Sequence, residues 1–139
     1  MKPRLGFLGT GCIGRHRMAA LAATGLAEIV AVAEPDDNGA AEALKLAPGV
    51  KRVDGLDALL RENIDAVVIA TPSAAHAEQS IAALNAGKAV FCQKPLGRTG
   101  PEVAEVVEAA AKADRLLGVD LSYRQTAAMG AIRPLLDEG

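Results

Sequence analysis

Glycines at positions 9, 11 and 14, a glutamate at 34 and a lysine at 94 are the residues of this chain whose types and spacing can do chemistry. Gly9-Thr10-Gly11-Cys12-Ile13-Gly14 reads G-x-G-x-x-G. Alone that pattern is a weak signal, because the chain has 14 glycines. Here a short apolar run precedes it, an Ala/Leu-rich helical pattern follows it, and an acidic residue stands at the right distance. Gly9 permits a tight turn out of a strand. Gly11 carries no side chain to hold a pyrophosphate off the backbone, and Gly14 lets the next helix pack close to the sheet. The helix N-terminus then offers unpaired N–H groups and its positive dipole end to phosphate. The chemistry is recognition of a dinucleotide, with Thr10, Cys12 and Ile13 as the intervening residues of the cradle.

Glu34 ends the second apolar run, at the spacing of about 20 residues past the third glycine that a ribose-binding carboxylate takes. It can accept hydrogen bonds from both ribose hydroxyls and repel a 2′-phosphate. Asp36 and Asp37 add to that repulsion, and no arginine sits beside strand two. NAD is therefore favoured over NADP. Arg15, His16 and Arg17 pull the other way if they reach a 2′-phosphate, but a solvated helix face is the preferred reading of that trio. The bland alternative for Glu34 is a residue that merely starts a turn.

Lys94, between Gln93 and Pro95, directly follows the fifth strand. An ammonium over the cofactor cleft can hold a substrate hydroxyl or take part in proton transfer, and partial burial would tune it for that work. An ordinary surface lysine is the competing reading. His76 falls in the first turn of a helix, where a packed or capping histidine is commoner than a catalyst. Pro72 holds Thr71 extended and brings it to the cleft. Cys12 reads as a small loop residue. Cys92 and the two histidines have no metal-ligand spacing, so no metal is expected.

The elements that must position these residues alternate short β-branched runs with helical periods, the signature of a parallel sheet with helical crossovers. Strands are expected at 4–8, 28–33, 51–53, 66–70, 89–92 and 116–121. Helices are expected at 12–24, with Ile13, Met18, Leu21 and Ala22 inward, and at 38–47, capped by Asp36 or Asp37. A short helix capped by Asp54 and another over 74–86 follow. The next is capped by a Thr99/Glu102 box and carries Val103, Val106, Val107 and Ala110 as its stripe. A last helical segment spans 125–138, with a kink or a start near Pro134. The fold class is α/β, a Rossmann-type doubly wound parallel sheet of about six strands forming one domain over 1–139. Ligands of such sheets bind beyond the carboxyl ends of the strands.

Bulk composition excludes other classes. Net charge is −2 and the pI about 5.7, which favours neither nucleic acid nor an anionic membrane. Phe7, Phe91 and Tyr123 are the whole aromatic complement, poor material for base stacking. Two cysteines make no disulfide framework and fit a reduced cytoplasm. Lys2 and Arg4 before an apolar stretch imitate a signal peptide, but the spaced glycines and Arg15-His16-Arg17 do not fit one. No run approaches the roughly 20 apolar residues of a membrane span.

Taken together the motifs resemble the glucose–fructose oxidoreductase and inositol dehydrogenase (Gfo/Idh/MocA-like) family. The resemblance rests on 9–14, Ala33-Glu34-Pro35, Thr71-Pro72-Ser73-Ala74-Ala75-His76, Ala86-Gly87-Lys88-Ala89-Val90, Gln93-Lys94-Pro95 and Val119-Asp120-Leu121-Ser122-Tyr123-Arg124. It implies the cofactor domain of an oxidoreductase that moves a hydride between a nicotinamide cofactor and a sugar, inositol or related polyol. The lysine of the family's Glu-Lys-Pro motif serves catalysis or substrate binding, and Lys94 matches it, with Gln93 in place of the glutamate. A cis Lys94–Pro95 bond is implied as well. Family members continue into a second α/β domain that completes the site and often mediates dimers, and this chain stops near where that domain should begin. A truncated or excised cofactor domain with little turnover of its own is the expectation. A homo-oligomer is compatible, and a non-catalytic dinucleotide sensor or partner module is the alternative.

Overall fold

The strand that feeds the glycine turn lies in the middle of the sheet. In the computed structural model, which describes residues 1–138, β1 (Arg4–Leu8) is flanked by β2 (Glu28–Ala33) and β4 (Ala66–Ile69). With β3 (Lys51–Val53), β5 (Ala89–Gln93) and β6 (Leu117–Asp120) these form one six-stranded sheet, ordered β3-β2-β1-β4-β5-β6, with every pairing parallel. The order reverses between β1 and β4, which opens a crevice at their carboxyl ends. Leu8 pairs with Ala33 on one side and Ile69 on the other. The Gly9 N–H donates to Ala33 O (2.9 Å) and the Ala70 N–H to Leu8 O (2.8 Å). The exits of β1, β2 and β4 are thus level, and the residues that follow them face one another.

A parallel sheet needs cover on both faces, so its strands are apolar on both. On β1, Leu5 and Phe7 point to one core and Leu8 to the other. Helices α1 (Cys12–Thr24) and α2 (Asp37–Leu44) cover the first core with Met18, Leu21 and Ala43. Helices α3 (Gly55–Arg61), α4 (His76–Asn85) and α5 (Gly100–Ala113) cover the second with Leu59, Leu84 and Val106. Gly6 sits inside β1 because α3 leaves no room there. A Cβ at Gly6 would lie 2.9 Å from Leu59 Cδ1 and Ile64 Cδ1.

Several local expectations hold. Gly25 closes α1 in the left-handed conformation (φ 63°), and Asp36 caps α2 by accepting the Gly39 N–H at 2.6 Å. Lys94–Pro95 is cis. Others are corrected. Asp54 stands at the N-cap of α3 but its side chain accepts no cap bond. Thr99 accepts from the Glu102 N–H, yet the Glu102 carboxylate turns to the Arg98 N–H and guanidinium, so only half of a capping box forms. Helix α2 ends at Leu44, three residues early, and Val107 lies exposed beside the buried Val106. Helix α6 (Ala127–Asp137) is capped by Thr126 and runs through Pro134 rather than starting there. Among the described residues no helix is long and apolar enough to cross a membrane.

Candidate functional site

The glycine turn is built as a cradle. Gly9 holds φ at 83°, a region that L side chains avoid, and a Cβ there would also meet Ala70 C and O at 2.9 Å. A Cβ on Gly14 would run into Gly9 O, so only glycine lets α1 start this close to β1. Gly11 differs from both, because a Cβ there meets nothing within 4 Å. Its missing side chain opens the space above the loop. Gly11 also gives α1 no side-chain cap, and the first bond of the helix is Arg15 N–H to Gly11 O at 2.9 Å. Among the described residues the amides of Cys12, Ile13 and Gly14 are left to an outside acceptor. A pyrophosphate fits that arrangement. Ile13, expected inward, is 48% exposed and lines the cleft instead, because the first turn of α1 overhangs the crevice rather than the sheet.

Glu34 stands at the exit of β2, beside this turn. Its Oε2 accepts the Thr10 N–H at 2.6 Å and the Thr10 hydroxyl at 3.3 Å, and its Oε1 accepts the Asp36 N–H at 3.1 Å. Thr10 is wholly buried. The glutamate therefore locks the glycine loop while keeping carboxylate lone pairs for a further donor. The expectation that no arginine sits beside strand two is wrong. Arg52, on the neighbouring β3, donates from Nε and Nη2 to Glu34 O (3.1 and 2.9 Å), from Nη2 to Pro35 O (3.0 Å) and from Nη1 to Asp37 Oδ1 (2.6 Å). The strand pairing puts it there, since Val32 is level with Arg52.

Across the crevice the ends of β4, β5 and β6 line a cleft of about 650 Å3 with Thr71, His76, Gln93, Lys94, Pro95 and Asp120. His76 is buried at the start of α4, as a packed histidine would be. Its Nδ1 lies 2.6 Å from Pro95 O and its Nε2 2.7 Å from Thr71 O, so one ring sits between two loops, and each neutral tautomer donates to one of the two carbonyls. The Thr71 hydroxyl donates to Gln79 Oε1 at 2.5 Å, which holds it at the cleft wall. Pro72, extended at φ −58° and ψ 138°, shapes that loop but does not line the cleft. Lys94 lines the cleft and is exposed, so the partial burial that would tune it is absent among the described residues.

Sequence reasoning pointed to Gln93 and to the residues after β6 but missed the cluster that ties Arg17 of α1 to them. Arg17 Nε donates to Asp120 Oδ2, and Arg17 Nη2 to Ser122 Oγ at 3.1 Å. Gln93 Nε2 donates to the same Asp120 oxygen at 3.0 Å, while Gln93 Oε1 accepts the Lys94 N–H at 3.0 Å. Burial pushes the Asp120 carboxyl up, but Arg17, Ser122 and Gln93 outweigh it and hold the group below the usual carboxylate range. Arg17 is thus not part of a solvated face, and neither is Arg15, whose Nη1 donates to Thr10 O at 2.9 Å. Only His16 of the trio is exposed. No sequence signal joins Arg17 to Asp120. A glutamate at 93 would set a second carboxylate against Asp120, and the amide makes a bond instead. Among the described residues no group of three or more His, Cys, Asp and Glu is placed to hold a metal. Burial pushes the Cys92 thiol up to about 11, whereas Cys12 is exposed on the loop.

Comparison with known proteins agrees with this geometry. Residues 3–121 match the Gfo/Idh/MocA family model, an oxidoreductase family with an NAD-binding Rossmann fold. Inositol 2-dehydrogenase 3 of Saccharopolyspora erythraea is 37% identical over 142 residues, covering 100% of this chain and 42% of that protein. Scyllo-inositol dehydrogenase from Lactobacillus casei, solved with NAD(H) and scyllo-inositol, superposes with a TM-score of 0.87 at 26% identity, over 100% of this chain and 42% of its own. A 3-ketoreductase from Actinomadura kijaniata, solved with NADP and TDP-benzene, gives 0.90 at 30% identity, over 100% and 43%. The chain spans about 42% of the length of the curated inositol dehydrogenase it matches. With its glycine cradle, its sheet order and a family match over most of its length, the chain belongs to the Gfo/Idh/MocA oxidoreductase family and has its NAD-binding Rossmann fold.

Proposed function

We propose that residues 1–139 are the cofactor half of a two-domain dehydrogenase that acts on an inositol, a sugar or a related polyol. A bound nicotinamide supplies the hydride acceptor. The residues of this chain do the rest of its share. The amides of Cys12, Ile13 and Gly14 take the pyrophosphate, with Gly9, Gly11 and Gly14 shaping the turn. Glu34 takes the adenosine ribose and holds Thr10. Thr71, His76 and Gln93 set the wall of the nicotinamide cleft, and Pro72 shapes the loop that carries Thr71. Lys94 Nζ holds the substrate hydroxyl and exchanges its proton. The observation that carries this reading is that Lys94 lines one cleft with Thr71 and His76, across the crevice from the phosphate cradle. Relatives that act on inositols support the substrate class. A cytoplasmic setting fits the free cysteines, and self-association is compatible with the exposed Ile132, Leu135 and Leu136 of α6.

Calorimetric titration of the chain with NAD, followed by myo-inositol in the presence of saturating NAD, tests the assignment. NAD binding with a Lys94→Ala variant that keeps it, and with turnover near zero for the chain alone, is the expected result. Failure of NAD to bind sinks the reading.

A further inference from the structure

Arg52 has a placement that the reading so far leaves without a role. Its guanidinium lies beyond the carboxyl ends of β2 and β3, in a shallow cleft of about 390 Å3 that it lines with Glu34, Pro35, Val53, Asp54 and Gly55. This is the end of the sheet where Glu34 receives the adenosine ribose. Three bonds to main-chain carbonyls, two to Glu34 O and one to Pro35 O, fix the guanidinium plane. A cation already oriented loses little freedom when it meets an anion, and a guanidinium fork suits a phosphate. Such a group beside the ribose would by itself favour a 2′-phosphate. What opposes it is Asp37, whose Oδ1 takes Nη1 at 2.6 Å.

We propose that Asp37 masks Arg52, and that this pair sets the discrimination between NAD and NADP together with Glu34. The proposal rests on the dinucleotide reading above and adds its specificity determinant. The pair is open to solvent, with side-chain exposures of 37% for Arg52 and 90% for Asp37. An ion pair of that kind contributes little to folding, so loss of its acidic member leaves the fold in place. Its loss also frees Nη1 and removes one negative charge from the approach of a 2′-phosphate. Asp36 is not equivalent, because its carboxylate is committed to the Gly39 N–H as the cap of α2.

Calorimetric titrations of wild type, Asp37→Asn, Arg52→Met and the double variant with NAD, NADP, ADP and 2′,5′-ADP test it. In Asp37→Asn the affinities for NADP and 2′,5′-ADP rise about three- to fivefold, the upper part of the range of an exposed charge pair, while those for NAD and ADP stay within about twofold. The double variant loses that gain, and added salt shrinks it. An unchanged preference in Asp37→Asn overturns the proposal. So does a gain that persists without Arg52, since removal of negative charge would then explain it alone. ADP binding shows that each variant is folded with its adenosine end intact. If wild type binds neither ADP nor NAD, the dinucleotide reading fails first and this proposal with it.

Discussion

Glu34 and Thr10 are joined twice across the exit of β1. One carboxylate oxygen, Oε2, accepts both the backbone N–H and the hydroxyl of Thr10. The carboxylate proposed to take the adenosine ribose is thereby also the brace of the glycine loop, so a change at Glu34 reaches both. Glu34→Gln keeps the shape but loses a charged acceptor. Hydrogen bonds to charged groups contribute about 1.5–3 kcal/mol, so NAD affinity falls about tenfold or more. Titration calorimetry reads this, and an unchanged Kd would remove Glu34 from the ribose site.

Two glycines of one motif separate under substitution. Gly14→Ala drives a Cβ into Gly9 O and lowers thermal stability by roughly 1–3 kcal/mol, the range of overpacking. Gly11→Ala puts its Cβ in open space, leaves the melting temperature nearly unchanged and weakens NAD binding. Melting curves with and without NAD distinguish the two. A similar loss of stability in both variants would contradict the cradle.

The Asp120 carboxyl is held below its ordinary range in the folded protein. A depressed native value means that the unfolded chain takes up protons first as the pH falls. The contribution of Asp120 is therefore complete above the ordinary aspartate value of about 3.9 and is lost below it, as the native carboxyl protonates. Denaturant unfolding at about pH 7 and about pH 3.5 measures the loss, and Asp120→Asn reduces the difference between the two. Equal acid sensitivity in the variant would remove Arg17–Asp120 from the account.

Thiol labelling separates the two cysteines. Cys12 is exposed and reacts with an aromatic disulfide reagent in the native state. Cys92 is buried with its thiol pushed up to about 11, so little thiolate forms near neutral pH and labelling waits for unfolding. The expected count is one thiol native and two in denaturant. Two native thiols would mean that β5 opens readily.

The six strands and the crossover helices were readable along the chain because side-chain period and turn residues are local properties. A β-branched run that stops at glycine or proline has few alternatives, and G-x-G-x-x-G followed by Glu34 carries its own spacing. Errors gathered where a neighbour distant in sequence decides. Ile13 kept the helical period of α1 yet faces the cleft, because the start of that helix hangs over the crevice. Glu102 had the right spacing for Thr99 but found Arg98 closer to hand.

What the sequence determined by itself is the order of elements, the glycine cradle, the acidic residue at its side and the lysine after β5. Each is written in a window of a few residues up to one βαβ unit. What only the tertiary structure decided is which charges meet. Arg17 finds Asp120 across the width of the crevice, and Arg52 reaches the carbonyls of Glu34 and Pro35 from the next strand. Strand order and register bring those groups together, and both come from burying two apolar faces of one sheet. The electrostatics of the site are thus a product of packing, and no spacing along the chain encodes them.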